Sequence, residues 1–106
     1  MAYRDYVRQN IFAKAGNLLS PELTQAFLTP QVLYKPRNGW DQKYGCGMWF
    51  NVTPDDEVIY YQKEGTNHGA SVILRHYPKT DISVILLSNL EEGVWEPVRE
   101  IHKQMV

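Results

Sequence analysis

The spacing of apolar residues changes along this chain from a helical to an alternating repeat and back again. Tyr3, Tyr6, Val7, Asn10, Ile11 and Phe12 recur at helical spacing and predict an amphipathic helix over residues 2 to 14. Gly16 is placed to cap its C-terminus in a left-handed conformation. Ser20 reads as an N-cap with Pro21 at the first helical position, starting a short helix that runs to Leu28 and is ended by Pro30. From Tyr34 to Lys43, the run of Pro36, Arg37, Asn38, Gly39 and Asp41 reads as an irregular connection. Four stretches rich in Tyr, Val, Ile, Phe and Trp follow, at about 44 to 52, 57 to 63, 70 to 77 and 82 to 88, and predict strands. Thr53-Pro54-Asp55-Asp56 and Pro78-Lys79-Thr80-Asp81 supply turn residues, so neighbouring strands are expected to pair as antiparallel hairpins. After Gly93, the stripe Val94, Val98, Ile101 and Met105, with Trp95 and His102 beside it, predicts a last helix, in which Pro97 is tolerable only in the first turn. The expected fold is α+β, a small antiparallel sheet of four strands with the N-terminal helices and the C-terminal helix packed on one face.

A chain of 106 residues is the size of one domain, spanning 1 to 106, and buries roughly two-thirds of its unfolded surface. At 43% hydrophobic and 22% charged it is too apolar for a disordered segment. A net charge of -1 supplies no field for nucleic acid or an anionic membrane. The longest apolar stretch, Ile82 to Leu87, is too short to cross a bilayer. A single cysteine, Cys46, excludes an internal disulfide and cannot build a zinc site by itself; between two glycines it reads as a small buried residue. The start, Met1-Ala2-Tyr3-Arg4-Asp5, lacks a charged region followed by an apolar one, which makes the cytoplasm the default location.

Several motifs together give the chain a family likeness. Lys63-Glu64-Gly65 is followed by Gly69, Pro78 and an apolar strand closing in Ser88-Asn89. Upstream stand Ile11-Phe12-Ala13-Lys14-Ala15-Gly16, Leu18-Leu19-Ser20-Pro21-Glu22, Leu28-Thr29-Pro30 and Tyr44-Gly45-Cys46-Gly47-Met48-Trp49. In this order they resemble the last third of penicillin-recognising serine hydrolases, the group of class C β-lactamases, DD-peptidases and related esterases. That family carries a Lys-Thr-Gly or His-x-Gly box on a strand at the rim of its active site. The resemblance implies that Lys63 supplies positive charge toward a substrate carboxylate, that Gly65 admits close approach of the substrate, and that the Thr66 amide helps form an oxyanion hole. Glu64 departs from the usual small hydroxyl residue and would repel an anion. The family's nucleophile lies in a Ser-x-x-Lys motif, and none occurs in this chain. The resemblance thus implies a C-terminal fragment of the fold without autonomous hydrolase activity.

Two alternatives remain open beside it: a small-ligand-binding or self-associating module that kept the groove, or the complementing half of a split hydrolase. In the family, the strand equivalent to 82 to 88 pairs with strands from the N-terminal part, so here an apolar edge, Ile82 with Val84 to Leu87, is expected to drive homo-oligomer formation. A small carboxylate is the expected ligand of Lys63, Glu64, Gly65 and Thr66, with no cofactor and no metal. Lys63 and Glu64 are also what a strand end entering a solvated loop would show. His68 and His76 read as surface or turn residues, and His102 as a packing residue on the last helix. Ser71 and Ser83 are the strand serines with a claim to nucleophilicity, and neither has a lysine three residues on.

Overall fold

The computed structural model describes residues 2, 3 and 19–105. The predicted helix over 2 to 14 and its Gly16 cap lie outside these, save for Ala2 and Tyr3. Ser20 caps the first described helix, α1 (Pro21–Phe27), its hydroxyl accepting from the Leu23 amide at 3.2 Å. Pro21 fills a first-turn position where no amide is needed, and Glu22 faces the positive end of the helix dipole. α1 buries none of its side chains. The expected packing of this helix on the sheet is therefore not seen among the described residues.

Six strands follow: β1 (Val32–Pro36), β2 (Asp41–Tyr44), β3 (Trp49–Val52), β4 (Val58–Asn67), β5 (Ala70–Tyr77) and β6 (Ile82–Ser88). They form one antiparallel meander in the order β1-β2-β3-β4-β5-β6. The expected four strands undercount this sheet at two places. The stretch that reads as an irregular connection is a hairpin: Arg37 to Trp40 form its turn, closed by the Arg37 amide on the Trp40 carbonyl at 2.8 Å. Pro36 ends β1, an edge strand where a missing amide costs no ladder bond. The run 44 to 52 is broken by a turn in which the Gly45 amide donates to the Met48 carbonyl at 3.0 Å, with Gly47 at φ +94. Cys46 stands exposed on this turn rather than buried. A tight turn points its central side chain outward, whatever that side chain's polarity.

The last helix, α2 (Trp95–Met105), covers one face of the sheet. In β5 the odd residues Ser71, Ile73, Arg75 and Tyr77 are buried, whereas Ala70 and Leu74 are exposed and Val72 and His76 half-buried. Ile73 meets Val94 and Val98 in a fully buried cluster, with Leu86 and Trp95 packed against it. Each of these three buried side chains contributes about 1.5–3 kcal/mol. The approach to α2 is tight at Gly93, where a Cβ would lie 2.7 Å from that of Ser88. The opposite face is open, with Leu74, Ile85 and Leu87 exposed by 46%, 61% and 76%.

Ser71 pins the segment that leads into α2. Its buried hydroxyl donates to the Leu90 carbonyl at 2.8 Å and accepts from the Val94 amide at 3.3 Å. A hydroxyl so committed is structural and not free to attack a substrate. Ser71→Ala leaves the buried Val94 amide without its partner, while the Leu90 carbonyl keeps the Gly93 amide at 3.2 Å, and is expected to lower stability by about 1–3 kcal/mol. Urea denaturation checks this as a reduced midpoint at unchanged slope.

Candidate functional site

The ladder places the Lys63-Glu64-Gly65-Thr66 box on a half-paired stretch of strand. β3 reaches only to Trp49, opposite Gln62, while β5 pairs with β4 as far as Asn67. Among the described residues, 63 to 67 therefore have a neighbour on one side only. Their other edge offers backbone amides and carbonyls to an extended ligand. All four box residues are exposed.

Strand alternation splits the box between the two faces. Glu64 lies opposite Ile73 and Thr66 opposite Ser71, on the face covered by α2; Lys63 lies opposite Leu74 and Gly65 opposite Val72, on the open face. Lys63 and Glu64, neighbours in sequence, thus point away from each other. The Glu64 carboxylate is occupied on its own side, where Oε2 accepts from Gln62 Nε2 at 2.9 Å. Gly65 has nothing within 4 Å of where a Cβ would stand, and its φ is not in the left-handed region. Neither packing nor backbone conformation in this chain requires glycine there. A hollow of about 200 Å³ borders it, lined by Gly65, Thr66, Asn67, Ala70, Ser71 and Val72.

Behind Glu64 runs a chain of directed hydrogen bonds that no motif in the sequence announces. Arg75 Nε donates to Gln62 Oε1 at 2.8 Å, and its Nη1 donates to the Tyr77 hydroxyl at 3.3 Å. Tyr77 in turn contacts His102 Nδ1 at 2.8 Å. Because the tyrosine oxygen already accepts from Arg75, its proton is available to His102, whose Nδ1 is then the acceptor. The guanidinium lies 3.8 Å from the Tyr60 ring centre, and no carboxylate pairs with it among the described residues. A buried arginine is always charged, so the ring face and these neutral acceptors hold a cation that is largely shielded from water. The only sequence signal for this cluster is the parity of Arg75, two residues from Ile73 and two from Tyr77.

The remaining candidates are dispersed. His68 is fully exposed in the β4–β5 turn, 3.7 Å from Glu91. His76 is half-buried rather than a free surface residue, with Nδ1 at 2.8 Å from the Ser83 hydroxyl and Nε2 at 3.4 Å from Asp81. No group of three or more metal-ligating side chains occurs among the described residues, and no described helix is long and apolar enough to cross a membrane.

Comparison with known proteins adds one finding. No family model and no curated protein matches the chain. Among solved structures, a penicillin binding protein from Bacillus halodurans superposes with a TM-score of 0.71 at 24% identity, over 86% of this chain and 26% of that one. The fold is penicillin-binding-protein-like. The chain spans about a quarter of that neighbour's length, and at this identity the likeness establishes architecture alone.

His102 links the buried cluster to pH. Burial, and secondarily the charge of Arg75, lower its pKa from the ordinary 6.5. The unfolded chain takes up this proton at higher pH than the folded one, so the contribution to stability is complete above about 6.5 and is lost as pH falls from there toward the folded value. The expected outcome is that stability declines on acidification from pH 7.5 to 5.5, and that His102→Gln flattens the decline. Urea midpoints of both forms at the two pH values measure it.

Proposed function

We propose that this chain is the sheet portion of a β-lactamase- or transpeptidase-like fold that does not carry out acyl transfer on penicillins by itself. The observation that carries this reading is the combination of a penicillin-binding-protein-like fold over 86% of the chain, only 26% coverage of the neighbour, and no Ser-x-x-Lys in the sequence. The box on β4 supports a retained groove. Lys63 faces open space, Glu64 is turned to the other face, and Gly65 is a glycine that the chain's own packing does not call for. A ligand laid along residues 63 to 67 would meet a cation, an unobstructed backbone and free edge groups. Those are the requirements of a small carboxylate.

The ligand experiment has two arms. Purified chain is expected to leave a chromogenic cephalosporin intact and to show no adduct with a labelled penicillin; turnover or a mass adduct would remove the reading that it does not carry out acyl transfer on penicillins by itself. Titration with small carboxylates is expected to move the amide signals of residues 63 to 69 weakly. Lys63→Ala should abolish the shift and Glu64→Thr should strengthen it modestly. Unmoved signals in both parent and Glu64→Thr would mean that the groove binds nothing.

A second reading, self-association, rests on β6. It is the terminal strand of the sheet, with no partner on its outer side among the described residues, and it carries exposed Ile82, Ile85 and Leu87. Such an edge is a template for another strand, from a second copy or from a complementing polypeptide. Light scattering is expected to show a dimer at high micromolar concentration, reverting to monomer in Ile85→Lys. A monomeric parent would count against association through this edge.

A further inference from the structure

We propose that Ser83, His76 and Asp81 form a nucleophile site, separate from the β4 edge, that acts on small neutral esters of short acyl chains. The three residues are brought together by the β5–β6 hairpin. His76 and Ser83 are direct register partners, and Asp81 occupies the last position of the connecting turn at φ +54, a conformation that aspartate tolerates better than most residues. The imidazole is contacted at both nitrogens. The Ser83 hydroxyl lies 2.8 Å from Nδ1, and the Asp81 carboxylate lies 3.4 Å from Nε2.

The Asp81 carboxylate stands at ion-pair distance from Nε2 without a hydrogen bond to it, and its negative charge biases the ring toward the tautomer with the proton on Nε2. That leaves Nδ1 as the acceptor for the serine proton. This is the logic of a hydroxyl, a base and an orienting acid, with the two ring nitrogens exchanged relative to the serine-protease arrangement. A mostly apolar hollow of about 250 Å³ adjoins the pair, lined by Met48, Tyr61, Leu74, His76, Ser83 and Ile85 and also by Arg75. Its size and walls suit an acetyl to butyryl group. The neighbouring Asp81 charge disfavours anionic substrates, hence neutral esters and not penicillins. Tyr61 lines the same hollow, and burial, with the Asp81 charge second, keeps its proton on the hydroxyl as a hydrogen-bond donor.

In the reaction, the Ser83 oxygen attacks the ester carbonyl carbon as its proton passes to His76 Nδ1. Collapse of the tetrahedral adduct breaks the bond to the alcohol oxygen, which leaves with that proton, and the acyl group stays on Ser83. Water then repeats the sequence, so ester and water give acid and alcohol. Assistance by a positioned base is worth ~10²–10⁴-fold. Asp81 is almost fully exposed, which places this site at the low end.

The test uses the full chain with p-nitrophenyl acetate and butyrate, and a fluorophosphonate probe followed by peptide mass mapping. The expected result is an adduct on Ser83 that is lost in His76→Gln, and a hydrolysis rate that falls ~10-fold or more in Ser83→Ala but is unchanged in His68→Gln. Ser83→Cys keeps a side chain at the same place, and its introduced thiol should alkylate faster with iodoacetamide than the exposed Cys46 of the same molecule. Absence of the Ser83 adduct, or a rate unchanged in Ser83→Ala, overturns the proposal. Should Ser83→Ala fail to fold by circular dichroism, a position-83 thiol no faster than Cys46 overturns it equally.

Discussion

The docking of α2 over Ile73 is the contact on which the rest of the molecule depends. A strand presents alternate side chains to opposite faces, so once Ile73 is fixed under Val94 and Val98, every other residue of β5 has its face assigned. The ladder carries that assignment to β4 and β6. A slip of one residue would send Lys63 and Gly65 under the helix and bring Glu64 to the open face. The candidate groove and the His76–Ser83 pair thus owe their exposure to a hydrophobic cluster on the far side of the sheet.

The same cluster creates the electrostatic problem that Arg75 presents. A residue of that parity must enter the helix-covered face, and its charge cannot be shed there. The structure meets it with the Tyr60 ring, Gln62 and Tyr77 rather than with a carboxylate. The consequence passes in two directions: through Gln62 to Glu64 on the rim of the groove, and through Tyr77 to His102 on the helix. Glu64, which reads in sequence as an intruder in an anion site, is one end of this chain and faces away from Lys63.

Strong periodicity is legible in the order of residues alone. The strands at 70–77 and 82–88, the Ser20 cap and the last helix stand where apolar spacing and turn residues put them. The β1–β2 hairpin is not legible in this way, because Asp41 to Tyr44 carries few strand-forming residues and owes its conformation to pairing with β1 and β3. The split at Gly45 to Met48 is hidden by the apolar residues around it. As for the site, the motif draws attention to residues 63 to 66. It says nothing of which face each side chain takes, nor of Asp81 and Ser83 converging on one imidazole. Those facts depend on ladder register, which becomes definite only when both strands are placed.

The strand order of the sheet has one more consequence, for how the chain reaches this state. Every strand pairs with its neighbour in sequence, so each pairing closes only a short loop at small entropic cost. Contacts between residues close in sequence favour rapid folding. The meander can therefore grow hairpin by hairpin from either side of β4.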